Sequence, residues 1–103
     1  MSSVIKLLDQ VDATGAGESK PCNYPKRVFQ AFMTGTGAVS ATVKAQGSLD
    51  DEHWTDLGTI TLSGTDEDDD SFAIESPYKF VRGNVTAISG ADAMLTLNCG
   101  AQP

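Results

Sequence analysis

The side chains that could carry out catalysis are few in this sequence. His53 is the only histidine, so a Ser-His-Asp triad would depend on it. It lies in the segment 49–54, whose charged composition is typical of an exposed turn, and no Gly-x-Ser-x-Gly motif is present. Neither Cys22 nor Cys99 has a neighbouring histidine in the sequence, which gives a thiolate nucleophile little support. We therefore expect a protein without catalytic activity, cofactor or bound metal.

The two cysteines are too few for a disulfide-dense scaffold and lack the paired spacing of a zinc site. We expect Cys22 and Cys99 to be reduced, buried thiols. A bridge between them is the alternative that the sequence leaves open.

A run of five carboxylates separates two predicted strands. Such a run offers oxygen ligands for calcium, but its spacing is not that of an EF-hand. Because adjacent like charges repel, the preferred interpretation is a solvated loop that promotes solubility. Docking on a basic patch of another protein is the alternative. This acidic segment consists of Asp66, Glu67, Asp68, Asp69 and Asp70.

Trp54 and Tyr78 lie near the ends of predicted strands and could form a platform on which a sugar ring stacks. Asp50 and Asp51, in the turn that ends at His53, would supply polar contacts to that sugar. A single Trp at the start of a strand more commonly plugs the end of a sandwich core, and this is the interpretation we prefer for Trp54.

Composition excludes several partner classes. The chain has 103 residues, with 7 Lys and Arg against 14 Asp and Glu, so its formal net charge is −7. Nucleic acid would be repelled by this charge. The longest apolar run falls far short of the ~20 residues that cross a bilayer, and the first residues lack the pattern of an export signal. We expect one domain over 1–103, with neither nucleic acid nor a membrane as partner.

Apolar residues recur with a period of two, which predicts strands. Residues 39–45 and 93–99 alternate most regularly. Residues 54–63 carry one irregularity at Gly58, where a glycine permits a bulge. Residues 78–89 place Val81, Val85 and Ala87 on one face, and shorter strands are expected at 4–8 and 71–75. The turn residues 89–92 suggest that 78–89 and 93–99 form a hairpin.

Residues 26–33 carry apolar side chains on both parities, with Phe29, Ala31 and Met33 opposed to Val28 and Phe32. This pattern predicts a strand covered on both sides or lying across a subunit contact. A short loop of hairpin type at 34–37 should join it to the next strand. Residues 11–25 lack periodicity and predict an irregular arm or long loop. Seven or eight strands in about 100 residues indicate an all-β antiparallel sandwich with jelly-roll or Greek-key wiring.

The stretches 34–48, 54–64 and 78–90 resemble small structural proteins of tailed bacteriophages. The comparison is with jelly-roll decoration, or cement, proteins that bind the outside of an icosahedral capsid. The resemblance implies a virion protein of the capsid surface, made in the host cytoplasm, whose partner is the major capsid protein. It also implies a homo-oligomer, a dimer or a trimer.

The residues expected to make these contacts are the arm and the two-sided strand, because an aperiodic Gly-rich stretch gains order most readily against a partner. They are Ala13, Thr14, Gly15, Ala16, Gly17, Phe29, Phe32 and Met33. Two other functions stay open at this point. One is a carbohydrate-binding module on the virion or tail, since residues 47–54 also resemble discoidin-like sugar-binding sandwiches. The other is a tail-tube or head-completion protein.

Overall fold

The computed structural model describes residues 3–102, and all of its regular structure is antiparallel β-strand. There are three long strands and three shorter ones. They are β1 Ser3–Val11, β2 Gly15–Ala16, β3 Lys20–Pro21, β4 Lys26–Ser48, β5 Thr55–Glu75 and β6 Phe80–Gln102. In the sheet, the strand order is β1-β6-β4-β5, with β2 and β3 also paired to β6.

The three long strands fold back on themselves. A straight strand of 23 residues such as β4 would span about 76 Å, but the longest dimension of the molecule is 39 Å. Within β5, a Cβ on Gly58 would lie 2.5 Å from the ring of Phe72, 14 positions further along. Within β6, a Cβ on Gly83 would lie 2.7 Å from the side chain of Leu97. Each long strand therefore contributes one half to each of two facing layers.

The wiring of the two layers is that of a jelly roll. The first layer contains β1 and the segments 94–102, 26–34 and 67–75, in that lateral order. The second layer contains β2 with β3 and the segments 80–89, 38–48 and 55–65. Numbered along the chain, these eight segments are ordered 1-8-3-6 and 2-7-4-5, which is the arrangement of a double-sheet jelly roll. The predicted fold class is confirmed.

The core lies between the layers and is built from the alternate residues of every strand. The predicted inward faces are confirmed for 39–45 and 93–99, whose members Val43, Ala45, Leu95 and Cys99 are almost fully buried. One continuous cluster of side chains from both layers includes Leu8, Phe29, Met33, Val43, Ile60, Leu62, Val81, Val85, Leu95 and Leu97.

Two predicted hairpins are wrong. The segments 26–34 and 38–48 do not pair with each other, and neither do 80–89 and 94–102. Residues 34–37 and 89–92 are instead the bends at which β4 and β6 cross from one layer to the other. Positive φ angles at Gly37, Gly90 and Asp92 supply the change of direction.

Two bulges shift the pairing within the second layer. The expected irregularity at Gly58 is present, because Ala45 pairs with Gly58 and the next residue of β4 pairs with Asp56. A second bulge at Thr86 was not expected. It reverses the parity of β6, so that Ala87 is exposed and Ile88 is half-buried, contrary to the prediction for Ala87.

The acidic segment is not a loop. Glu67 to Asp70 belong to β5 and pair with residues 34–31 of β4. The arm is less irregular than expected, since β2 and β3 lie within it and both pair with β6. In both places a composition typical of loops occurs in strands at the edge of a layer.

Replacing Gly90 with alanine should destabilise the fold more than replacing Gly37. Both have positive φ, 123° at Gly90 and 77° at Gly37, but only a Cβ on Gly90 would meet backbone, 2.8 Å from the carbonyl oxygen of Ala38. We expect a loss of about 1 kcal/mol for Gly37→Ala and at least about 2 kcal/mol for Gly90→Ala. Urea unfolding measures both losses, and equal losses would contradict a close approach of the strands at this bend.

Candidate interaction surfaces

The arm residues proposed to contact a partner lie along the open edge of the second layer. Ala13 to Ala16 are exposed, and Gly15 and Ala16 pair with Val85 and Asn84. The amide of Gly17 donates to the carbonyl of Gly83 at 2.7 Å. A Cβ on Gly17 would lie 2.5 Å from the side chain of Leu8, so the absence of a side chain allows the arm to approach β1. The arm is therefore an ordered, accessible edge.

A shallow cavity of about 280 Å³ separates the arm from the end of β1. Leu8 and Val11 form its apolar side, and residues 12–17 form the other side. This cavity and the exposed residues 13–16 together make a surface that another protein could cover.

The other three residues expected to make contact, Phe29, Phe32 and Met33, do not all lie on the same face of the sheet. Phe29 and Met33 are 0% and 1% exposed and lie in the core, so they cannot form the expected self-contact. The ring of Phe29 stacks on that of Phe72, with centroids 5.3 Å apart. Phe32 is 40% exposed on the outer face of the first layer. Of the three, only Phe32 is accessible to a partner.

Two carboxylates of the acidic segment stabilise the bend of β5. Asp66, whose φ is 67°, accepts a hydrogen bond from the amide of Gly37 at 2.7 Å. Asp68 accepts one from the amide of Ser63 at 2.8 Å. The side chains of Glu67 and Asp69 point outward beside Thr34 and Phe32. The segment therefore has a structural role at the layer crossing and adds negative charge to an edge strand.

Trp54 and Tyr78 lie on opposite sides of the second layer. The guanidinium of Arg82 lies 4.3 Å from the centroid of the Trp54 ring, on the outer side. The ring of Tyr78 packs against Gly47 on the inner side, 2.9 Å from where a Cβ would be. The two aromatic rings therefore do not form one platform.

The turn that contains Asp50, Asp51 and His53 is held together by Asp50. Its carboxylate accepts hydrogen bonds from the amides of Glu52 and His53, each at 2.9 Å, and contacts Nδ1 of His53 at 2.7 Å. These bonds hold the pKa of Asp50 well below its usual range. Ligand atoms of Asp50, Glu52 and His53 lie within 4.8 Å of one another. Because both oxygens of Asp50 already have partners and all three residues are exposed, the arrangement is that of a self-capped turn.

A polar row across the second layer was missed by the sequence analysis. Arg82 donates through Nε to Gln46 at 2.8 Å, and Gln46 donates to Asp56 at 2.8 Å. Asp56 also accepts from Lys44 at 3.2 Å, and the hydrogen bonds from Gln46 and Lys44 lower the pKa of Asp56. The row follows from the register, since Gln46 pairs with Arg82 on one side and Asp56 on the other. That register could not be obtained from spacing alone.

Both cysteines are free and buried, as expected. Near them, the buried side chain of Arg27 donates through Nη2 to the carbonyls of Cys22, at 3.1 Å, and Tyr78. Burial raises the pKa of the Cys99 thiol to about 12, and the neighbouring Cys22 thiol adds to the shift. The Cys99 thiol is therefore protonated at neutral pH and is a poor nucleophile.

In the described part of the chain, no helix has the length and apolar character required to cross a membrane.

Known proteins provide a likeness in structure but not in sequence. No protein family matches the chain, and no curated protein does. Among solved structures, the SPBc2 prophage-derived protein YomS is similar with a TM-score of 0.65 and 12% identity, over 98% of this chain and 92% of that one. The PBSX exported protein XepA gives a TM-score of 0.72 and 15% identity, over 98% of this chain but only 37% of that one.

A third similar structure is VP2 of the infectious bursal disease virus subviral particle. Its TM-score is 0.55 at 11% identity, with 99% of this chain and 32% of that one covered. At such identities the likeness establishes the fold alone. The fold occurs in prophage and viral proteins. This chain corresponds to nearly the whole length of YomS and to about a third of XepA and of VP2.

In the native protein at pH 8, Cys99 should react with iodoacetamide more than about a thousandfold more slowly than in urea, because only a very small fraction of a thiol with its pKa near 12 is ionised. Cys22 is also buried and should be protected from the reagent. Mass spectrometry of labelled peptides measures both rates. Rapid labelling of native Cys99 would show that the end of the core opens frequently.

Asp50→Asn should reduce the loss of stability in acid. Since the folded-state pKa of Asp50 is below its ordinary value of 3.8, its contribution is complete above that pH and is lost as pH falls toward the folded-state pKa. Denaturant unfolding between pH 7 and pH 2.5 should show a shallower decline for the variant. Asp51→Asn removes the same charge from the same turn and leaves the bonds of Asp50 in place. If Asp51→Asn reduces the loss of stability in acid as much as Asp50→Asn does, the hydrogen bonds of Asp50 are not the cause.

Proposed function

We propose that this protein is a structural protein of a bacteriophage virion, a decoration protein that binds the outer surface of the capsid. The observation that carries the proposal is the jelly-roll wiring, with its likeness over nearly the whole chain to a prophage-derived protein and its likeness to a subviral-particle protein. The residue types of the sequence agree with this role, because they offer little to a catalytic centre.

The arm supplies the contact with the major capsid protein in this proposal. Its residues 13–16 are exposed along the edge of a layer, and the cavity of about 280 Å³ beside them gives a capsid loop a place to insert. Backbone pairing of Gly15 and Ala16 with β6 holds the arm in one conformation before binding. A surface ordered in advance loses less conformational entropy when a partner binds.

The function of such a contact is mechanical. A protein that binds the assembled shell but not the disassembled subunits stabilises the shell by mass action. Disassembly then requires the bound copies to dissociate as well, which adds to its free-energy cost. Each copy that spans a seam between capsid subunits adds buried area to that seam. Many weak additions of this kind allow the shell to resist internal pressure from the genome.

Two further features agree with this location. Reduced, buried cysteines suit synthesis in the reducing host cytoplasm. A net charge of −7 keeps free copies soluble and favours approach to a basic patch on the capsid. The exposed carboxylates Glu67 and Asp69 on β5 contribute to the negative electrostatic potential around the protein.

The carbohydrate-binding alternative loses its main support, because the Trp54 ring is covered by Arg82 and Tyr78 lies on the other side of the layer. No feature of the described residues favours a tail-tube or head-completion role over decoration. The two differ in copy number, hundreds on a shell against a ring of a few at one vertex, which a quantified gel of purified virions would distinguish.

The double variant Ala13→Lys with Ala16→Lys should lose capsid binding, because it places two bulky charged side chains on the arm. We expect its occupancy on particles assembled without the protein to fall at least about tenfold, and those particles to rupture at the lower temperature of undecorated shells. Sedimentation of mixed particles measures occupancy, and dye access to the genome on heating measures rupture.

The matched control is Thr59→Lys with Thr61→Lys, which makes the same change in charge at exposed positions of β5. It should bind as the unmodified protein does. If the arm variant decorates particles at full occupancy, another surface makes the contact. If decorated and undecorated particles rupture at the same temperature, the protein is not a cement.

A further inference from the structure

The exposed apolar side chains of the described residues are concentrated on one face. Five large hydrophobic residues are substantially exposed, and four of them lie on the outer face of the first layer. These four are Val4 (76%), Val28 (47%), Phe32 (40%) and Met94 (40%). The fifth, Leu49, is in the turn after β4. Such a concentration on a small protein marks an interaction surface.

The register places two of these residues, Val4 and Val28, in an apolar row across the whole layer, while Phe32 and Met94 lie on the same face outside this row. Val4 pairs with Gly100, Gly100 with Val28, and Val28 with Ala73, so the row runs through all four strands. It lines a groove of about 530 Å³, with Lys26 and Glu75 at one side. Gly100 leaves a gap in the row, because a Cβ there would meet nothing nearer than the carbonyl of Val28 at 4.0 Å.

The outer face of the second layer is different in kind. Most of its outward residues are polar, and several are joined by the hydrogen bonds of the Arg82, Gln46 and Asp56 row. They include Thr42, Lys44, Gln46, Thr59, Thr61, Ser63, Arg82 and Asn84. Among the described residues, large apolar side chains that are at least 40% exposed lie on the outer face of the first layer and not on that of the second, so simple solvation of a sandwich does not account for the composition of the first layer.

Charged side chains lie at both edges of this face. Lys6 lies on the β1 edge, where its only ion pair among the described residues is an exposed one with Asp9 at 3.7 Å. Glu67, Asp69 and Glu75 lie on the β5 edge and point outward. After rotation by 180° about an axis parallel to the strands, Lys6 of one copy approaches the acidic β5 edge of the other.

We propose that a second copy of this chain covers the outer face of the first layer, related by a two-fold axis parallel to the strands. The axis lies between β4 and β6, so Val28 of each copy faces the gap at Gly100 of the other. The same rotation places β1 over the partner's β5, bringing Lys6 close to the opposite carboxylates, and places the amides Asn98 and Gln30 opposite each other. The apolar row thereby becomes the centre of an isologous interface with a charged rim.

The size of the face is consistent with a dissociable dimer. Four strands at ~4.8 Å and nine residues at ~3.3 Å give a flat area of about 570 Å² per copy, or about 1,100 Å² for the pair. That is close to the lower limit for specific interfaces. The contact should therefore depend on concentration. The proposed dimer is independent of the capsid role, because dimerisation through the first layer would leave the arm free at the edge of the second layer.

Sedimentation equilibrium of the full chain from about 5 to 500 μM tests the proposal. We expect a concentration-dependent shift from the 10.8 kDa monomer toward twice that mass. Val28→Lys should raise the dissociation constant at least about thirtyfold, because a charge would be buried at the centre. Leu49→Lys is the matched control, since it removes another exposed apolar side chain, one that lies outside the face. It should leave the dissociation constant unchanged.

Gly100→Val is a second variant that fills the gap. A Cβ at Gly100 meets open space, so the monomer should fold with an unchanged circular dichroism spectrum while the dimer is lost. Lys6→Glu should weaken the dimer, and adding Asp69→Lys should restore part of the loss. A monomer at every concentration would overturn the proposal. So would an oligomer that tolerates both Val28→Lys and Gly100→Val.

Discussion

The central position of β4 is the constraint on which the rest of this molecule depends. β4 is hydrogen-bonded along both edges, to β5 on one side and to β6 on the other, in both layers. When β4 bends at 34–38, its two neighbours must bend at the same level, near Asp66 and near 89–92. Each of these places contains residues with positive φ, at Gly37, Asp66, Gly90 and Asp92. Three bends in register convert one long sheet into two facing layers.

Alternation of apolar and polar residues was sufficient to predict most of the core. Residues 39–45 and 93–99 show why, because a strand with one buried face must repeat with a period of two. The sequence predicts hairpins at two of the bends, 34–37 and 89–92, because glycine and aspartate are equally suited to a tight turn and to a layer crossing. Which of the two forms depends on pairing partners distant in sequence, such as Met33 with Asp68, and no local pattern encodes those partners.

The candidate surfaces were harder to predict than the fold for the same reason. Phe29 and Phe32 have identical side chains, and only the parity of β4 puts one in the core and the other at the surface. Arg27 has the same parity as Phe29, so it is buried although its type favours solvent. Trp54 and Tyr78 are separated by the thickness of a layer, which is invisible in their spacing. Side chains on strands converge through register, and a bulge of one residue changes which ones meet.

The position of β5 has a consequence for the way copies of this chain could associate. β5 is paired only with β4 and therefore forms an open edge of both layers. An open edge invites strand-by-strand addition of further chains, which ends in fibres. The carboxylates of Glu67, Asp69 and Asp70 along this edge would be brought next to those of any identical strand that tried to add in parallel register. One short acidic run in the sequence thus protects the open edge of the first layer from uncontrolled polymerisation.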